Sequence, residues 1–445
     1  MKTLSLIIVF SFLFIWQSQT FAQEPWNLEK CINYAIENNI QVKQMQLQAR
    51  SSEYNLQESK AGLAPSLNAN VNDAFQFGYT IDPYTNQFTN QNVQSLSASI
   101  TGSVTLFNGL QQVNTVKKNR YTLMSDLQAV EDVRYSITMQ VASSYLQILF
   151  DKELLDVANG QLEITKTQVQ RTRILVEAGS LAKGNLLEIQ AQLAGEELTK
   201  INAENNLKSS YLNLTQLLEL DTTSAFAIQV PELDDPSSEI LLDSVSTIFA
   251  NSQGLPMIKK EEFKLQSSEQ NLNIAKGGMS PRFYLQGSYG SGYSSARTYP
   301  NGDIYPYSDQ FVDNRSLSVS IGVSIPIFNN FSVKNRISQS KLGIENSKYQ
   351  LDLAKNQLFK DIQSARNSAE AALAKFNASK KAVEAQQESF SYTQQKFDLG
   401  LVNSVDYNTA KNQLAKSQSD MVQAKFEFIF RINILNFYQG IPFKL

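Results

Sequence analysis

The chain of 445 residues carries 39 Lys and Arg against 42 Asp and Glu, a net charge of −3, with no histidine and a single cysteine. Such mild acidity, without basic runs, gives no electrostatic basis for nucleic-acid binding. The missing histidine removes the commonest general base and metal ligand, and the lone Cys31 cannot close an intramolecular disulfide.

Residues 1–22, MKTLSLIIVFSFLFIWQSQTFA, are expected to be a secretory signal. Lys2 supplies the basic end, Leu4 to Trp16 the apolar stretch, and Thr20 and Ala22 the cleavage spacing. No lipobox-type cysteine follows, and removal of the segment leaves a net charge of −3 − 1 = −4. Beyond it no apolar run reaches eighteen residues, so a transmembrane α-helix is not expected. An exported chain of this kind is either soluble or a β-barrel protein.

The mature chain begins with a predicted helix over 28–61, strands over 65–78 and 92–107, and helices over 110–178 and 184–219. The order then recurs as helix 240–276, strands 281–293 and 314–328, and helices 331–398 and 404–436. The strands rest on alternation. In SLSASITGSVTLF, Leu96, Ala98, Ile100, Val104 and Leu106 face one way and the serines and threonines the other. SLSVSIGVSIPIF repeats it with Leu317, Val319, Ile321, Val323, Ile325 and Ile327. One apolar face, one small polar face and aromatics such as Phe75, Phe77, Tyr79, Phe283, Tyr289 and Tyr293 suit either a lipid-facing strand with a wet lumen behind it or one sheet of a soluble sandwich.

The helices favour the first reading. Segment 110–178 places apolar residues every seven: Val116, Leu123, Val130, Ile137, then Val141, Ile148, Leu155, Leu162, Val169 and Val176. Segment 331–398 does likewise with Ile337, Ile344, Leu351 and Leu358, and later Phe376, Val383, Phe390 and Phe397. Sevenfold spacing means coiled-coil-like packing. At 1.5 Å per residue such a helix reaches about 100 Å, far beyond a membrane.

The recurrence is a tandem duplication. SSEYNLQESKAGLAP (51–65) aligns with SSEQNLNIAKGGMSP (267–281), an offset of 281 − 65 = 216 at the prolines. SLSASITGSVTLFNG (95–109) aligns with SLSVSIGVSIPIFNN (316–330), and LVEAGSLAKGNLLEIQAQL (175–193) with KFDLGLVNSVDYNTAKNQL (396–414), both at an offset of 221. Five residues were gained inside 282–315, which marks a tolerant exposed loop. The expected organisation is a signal at 1–22, a first repeat at 23–225, a linker at 226–239, a second repeat at 240–437 and a tail at 438–445. Four strands cannot close a barrel alone, and an open edge is not tolerated in lipid. Several copies must share one barrel; two would give eight strands and three would give twelve.

The helix–strand–strand–helix plan repeated twice, the LFNG and IFNN strand-to-helix junctions, and the paired turns around Gly179 and Gly400 resemble the TolC family of outer-membrane channels over essentially the whole mature chain. The resemblance implies a mainly α fold with a transmembrane β part: a homotrimer sharing a twelve-stranded barrel, continued by a long periplasmic α-helical barrel. It implies a place in the outer membrane, with partners in a periplasmic adaptor (membrane fusion) protein and an inner-membrane RND or ABC transporter, proton-driven or ATP-driven. The turns would be the periplasmic tips, where glycine accepts positive φ. The adaptor would dock on Gly179, Ser180, Lys183 and Gly184 and on Gly400, Leu401, Val402 and Asn403. The family supplies pore-ringing carboxylates just above the tip; here Asp406 is the candidate, with its repeat mate Asn185 and, one turn further on, Glu188. Acid rings select cations. Where a second acid would follow Asp406, this chain has Thr409, which departs from a double ring.

No catalytic constellation, metal site or cofactor motif is expected. GSLAKGN lacks the ending of a phosphate loop, and GSYGSG (287–292) fits close packing within a barrel strand. The expected function is the exit channel of a tripartite efflux pump. The alternatives are the outer-membrane part of a type I protein secretion system and, from another class, a secreted coiled-coil structural or adhesive protein.

Overall fold

The computed structural model describes residues 25–81, 86–90, 92–221, 226–231, 235–236, 243–441 and 443. The signal at 1–22 and parts of the expected linker and tail lie outside the described residues. The elements in chain order are α1 (Leu28–Asn38), α2 (Ile40–Ala61), β1 (Ser66–Gln76), β2 (Tyr79–Ile81), β3 (Phe88–Asn90), β4 (Val93–Phe107), α3 (Gln111–Glu177) and α4 (Lys183–Leu217). The second half adds α5 (Val245–Asn251), α6 (Pro256–Gly277), β5 (Arg282–Ser294), α7 (Tyr307–Asp313), β6 (Ser316–Ser324), α8 (Ser332–Asp398) and α9 (Ser404–Tyr438). Among the described residues no helix is long and apolar enough to cross a membrane. The molecule is mainly helical with a small antiparallel sheet.

The duplication is written into the backbone. Left-handed residues come in pairs 221 apart: Gly109 (φ 66°) and Asn330 (52°), Leu110 (62°) and Phe331 (59°), Gly179 (71°) and Gly400 (72°), Glu219 (55°) and Gly440 (81°). Two consecutive left-handed residues, one of them bulky, turn each repeat from strand into long helix. Positive φ on Leu or Phe is an outlier that surrounding structure must enforce. Beside Leu110, Gly109 lies hard against Gly277: a Cβ on Gly109 would be 2.3 Å from the Gly277 carbonyl oxygen, so only glycine fits there.

The chain packs as two compact units, and each takes residues from both repeats. One comprises Met45–Glu131 and Gly254–Asn356 and contains the sheet, in the order β1-β4-β5-β6, all antiparallel. The register carries the alternation across the four strands. Ala69, Ile100, Tyr289 and Leu317 form one row, and Leu67, Gly102, Gly287 and Val319 the next, all on one face. The opposite face carries rows such as Asn70, Ser99, Gly290 and Ser316. The apolar face is open: Leu67, Val71, Leu317, Val319 and Ile321 are 69–74% exposed. Each such side chain gains about 1.5–3 kcal/mol on leaving water. Both outer strands, β1 and β6, are paired on one side only among the described residues.

β6 stops at Ser324, short of the expected 328. Pro326 has no N–H for the ladder, and Ile325, Ile327 and Phe328 beyond it are exposed. The far loops carry more structure than their composition suggests. The β2–β3 hairpin stacks Tyr79 on Phe88 at 5.5 Å. Residues 295–315 fold around α7, where fully buried Gln310 binds both the N–H and the carbonyl of Ser294.

The other unit comprises the chain up to Gln44, Asp132–Gln253 and the part from Gln357 onward. It is built from helices, and every sevenfold position named above is buried or half-buried across the two units. A core of Cys31, Ala35, Val141, Tyr145, Ile148, Leu214 and Leu218 packs α1 against α3 and α4. Burial pushes the Cys31 thiol up to about 12, so it stays protonated. A short parallel bridge, Trp26 with Ile228, closes over this core, and the Tyr145 hydroxyl reaches the Gln229 carbonyl at 2.5 Å. Asp235 pairs with Lys380 on α8 (3.2 Å) and Lys425 on α9 (3.0 Å). Those bonds hold its carboxyl below the usual range.

Two expected helices are broken. The helix over 28–61 divides at buried Asn39, whose backbone is extended (ψ 132°). Its side chain accepts from the Gln41 N–H at 2.9 Å and donates to the Leu217 carbonyl at 3.2 Å. The helix over 240–276 divides before Pro256, which forces Leu255 into an extended conformation (ψ 148°).

Candidate functional site

The site is built from two helical hairpins of the helical unit, α3–α4 and α8–α9. Each outgoing helix ends in the same hydrogen-bonded cap. At the first tip Gly179 N–H donates to Val176 O (3.0 Å) and Ser180 N–H to Leu175 O (2.8 Å). At the second, Gly400 N–H donates to Phe397 O (3.0 Å) and Leu401 N–H to Lys396 O (2.9 Å). This is the Schellman pattern, which needs a left-handed residue where both glycines stand. A Cβ on either glycine would meet no atom within 4 Å, so backbone conformation alone selects them.

The returning helices start differently. Asn403 caps α9 by accepting from the Asp406 N–H at 2.9 Å, whereas Ala182 opens α4 without a side-chain cap. Ser180, Lys183, Gly184, Gly400, Leu401 and Asn403 are exposed, and Val402 is half-buried. The second tip is the more apolar, with Leu399 75% and Leu401 70% exposed. Between the turns lies a cavity of about 340 Å³, lined in part by Leu175, Leu181, Asn185, Ile189, Val402 and Tyr407.

The sequence candidates Asp406, Asn185 and Glu188 fall into three settings. Asp406 is exposed in the first turn of α9, where a carboxylate is favoured by the helix dipole. Asn185 is half-buried at the cavity. Glu188 accepts a hydrogen bond from Ser404 Oγ and so joins α4 to α9.

That bond is one of several between the hairpins which sequence reasoning missed. Arg171 on α3 pairs with Asp398 at the end of α8. Gln192 reaches Asn412 at 3.3 Å. Deeper in, Lys411 of α9 is buried, its ammonium 2.5 Å from Glu196 Oε1 on α4 and 3.2 Å from the Gln161 carbonyl on α3, with a further bond to Thr165 Oγ1. Burial pulls Lys411 below the ordinary lysine range, and the bond to Glu196 offsets only part of that shift. The second oxygen of Glu196 has no hydrogen-bond partner among the described residues. Tyr407 lies between Lys411 and the tip, its ring tilted against those of Phe397 (4.8 Å) and Phe390 (5.5 Å). The signal was available: Tyr407, Lys411 and Leu414 share one helix face, and a lysine in an apolar stripe requires a buried partner.

The arrangement holds no catalytic group set; among the described residues no cluster of three or more acidic or cysteine ligands is suited to a metal. It is a pair of helical hairpins with open tips, fastened to each other, in a chain that also carries a sheet with an exposed apolar face. The class is that of a helical-barrel outer-membrane channel protein. The family model described as "Outer membrane efflux protein" matches residues 31–219 and 252–428, and the chain belongs to this family. It is an outer-membrane protein of efflux, a channel and transport family.

The chain is 23% identical over 432 residues to outer membrane protein TolC of Vibrio cholerae, covering 95% of this chain and 92% of that protein. It is 21% identical to the outer membrane efflux protein BepC of Brucella suis, over 73% of this chain and 67% of that one. Among solved structures, the fold matches CusC, described for conformational changes accompanying folding and transmembrane channel formation, with a TM-score of 0.79 at 15% identity over 93% and 92% of the two chains.

Proposed function

We propose that three copies form one passive exit duct, in which the sheets join edge to edge as a twelve-stranded barrel and the helices continue as a periplasmic tunnel. The observation that carries this reading is the sheet itself, with one face apolar and exposed and both outer strands unpaired on their far sides among the described residues. In lipid each edge N–H and C=O needs a partner, and a second copy supplies it. The tips of both hairpins are the docking surface for a periplasmic adaptor, which links the duct to an inner-membrane transporter. The chain carries no reaction of its own; cargo crosses a water-filled bore, and cargo choice rests with the pump.

In this reading Asp406 from each copy forms an acidic ring near the tunnel mouth, with Asn185 lining beside it and Glu188 fastening α4 to α9. Opening is an iris-like splaying of the hairpins after docking, which separates Arg171 from Asp398 and Ser404 from Glu188. Purified protein in planar bilayers tests it. Asp406→Ala with Glu188→Ala is expected to raise single-channel conductance and weaken cation preference. Unchanged conductance and selectivity would remove both residues from the gate.

A further inference from the structure

On the apolar face of the sheet, at the end away from the helix junctions, is a cavity of about 310 Å³. Its floor is the row Val71, Ala98 and Ser291, with Ile100 and Tyr289 from the next row. Small side chains at Ala98 and Ser291 leave a furrow in this row. Phe311 of α7 closes one side, held by the hydrogen bond from Ser291 Oγ to its carbonyl at 2.6 Å. Ser316 pairs with Gly290, so Arg315, one residue earlier, stands opposite Ser291 on this same face and lines the cavity.

Arg315 is exposed, and only its Nε is used, donating to the Val312 carbonyl at 2.8 Å. Its terminal nitrogens have no ion pair or hydrogen bond among the described residues. The other arginine of this loop, Arg297, is consumed by the fold through Asn314 (2.6 Å), Asp313 (3.9 Å) and the Tyr305 ring (4.4 Å). Along β6 the apolar side chains run from Val323 to Leu317, about 20 Å of strand, and the next position on that face is Arg315. The apolar side chains of this end of β6 therefore give way to a guanidinium, and in a lipid-facing sheet such a boundary falls where headgroups begin.

We infer that this furrow is a binding site for one phosphate-bearing lipid of the surrounding membrane, an acyl chain lying over Ala98 beneath Phe311 and the phosphate taken by the free nitrogens of Arg315. The inference rests on the membrane-inserted sheet of the proposed function. The cavity is continuous with the exposed apolar face, which supplies the chain environment. The unpaired guanidinium supplies the headgroup contact, and arginine forks match phosphate oxygens.

Native mass spectrometry of the full-length protein in detergent tests this with dioleoyl phosphatidic acid, dioleoyl phosphatidylcholine and inorganic phosphate as probes. Wild type is expected to retain phosphatidic acid about tenfold better than phosphatidylcholine. Arg315→Gln removes that preference and Arg315→Lys keeps part of it. Ala98→Phe, which fills the furrow, loses both lipids, while Arg282→Gln at the opposite end of β5 changes neither. Equal phosphatidic acid retention by wild type and Arg315→Gln, undiminished retention by Ala98→Phe, or inorganic phosphate binding as tightly as the lipid would overturn the site. A carbonate wash separates the two levels. Wild-type protein released from membranes refutes insertion itself, whereas retained protein without lipid preference refutes only the furrow.

Discussion

Lys411→Met is expected to be among the most damaging single substitutions in the helical unit, and Lys411→Met with Glu196→Gln to be close to wild type. The lysine ammonium is the partner that neutralises Glu196, whose other oxygen already lacks a hydrogen bond among the described residues. Removing it leaves a buried carboxylate uncompensated, a loss of about 3–5 kcal/mol for pairs of this kind. Replacing both partners removes the charge with its counter-charge, which is often neutral. Circular dichroism melting in detergent is expected to place Lys411→Met roughly 3–10 °C below wild type, with the double variant restoring most of the difference. Equal losses in single and double variants would show that Lys411 acts by packing alone. Because the pair joins α9 to α4 and Lys411 also bonds α3, the single variant is also expected to conduct more in bilayers, as hairpins held less firmly splay more readily.

Gly109→Ala carries the second large effect, in the sheet unit. Its Cβ would lie 2.3 Å from the Gly277 carbonyl oxygen and 2.7 Å from Ser280 Cβ, and φ there is +66°. Backbone cannot yield as a side chain can, so overpacking of about 1–3 kcal/mol adds to a left-handed penalty of about 1–2 kcal/mol. Gly179→Ala and Gly400→Ala meet nothing within 4 Å, which leaves only the left-handed penalty. The yield of heat-resistant folded protein in the outer-membrane fraction is expected to collapse for Gly109→Ala and to fall modestly for the tip variants. A tip variant as damaging as Gly109→Ala would mean that the tips are sterically crowded by something beyond the single chain.

These two positions also show what was legible in the sequence. The duplicated plan could be read because aligned segments recur at offsets of 216 and 221 residues, and its elements because period two runs through SLSASITGSVTLF and period seven through stretches of the long helices. The left-handed turns at Gly179 and Gly400 could be read because glycine is the usual residue there. Leu110, Glu219 and Phe331 adopt the same conformation and carry no such mark, since tertiary contacts impose it. Asn39 broke a helix because its side chain had a partner 178 residues away, which local pattern cannot reveal. The break before Pro256 is readable, because a proline disfavours helical backbone in the residue before it. At the tips, Asp406 is a candidate through the family resemblance rather than the local pattern, and the pairings of Arg171 with Asp398 and of Lys411 with Glu196 could not be read, because each joins helices far apart in the chain. The inward-facing lysine beside Tyr407 and Leu414 was the one available cue.

The far loops show a different limit. Tyr, Asn, Asp and Gly in ARTYPNGDIYPYSDQF are what a solvated turn also contains. Bonds such as those of Gln310 with Ser294 and of Ser291 with the Phe311 carbonyl distinguish a folded cap over the sheet from a loose loop. Composition reports which groups want water, not which of them find each other.

The most direct test of the shared barrel is the number of chains in the folded, detergent-extracted protein, measured by light scattering with the detergent contribution subtracted. Three chains per particle is the expected result, with the β1 edge of each copy paired to the β6 edge of the next. A particle of one chain that retains its sheet and its full melting transition would contradict it, because both strand edges would then be stable without a partner.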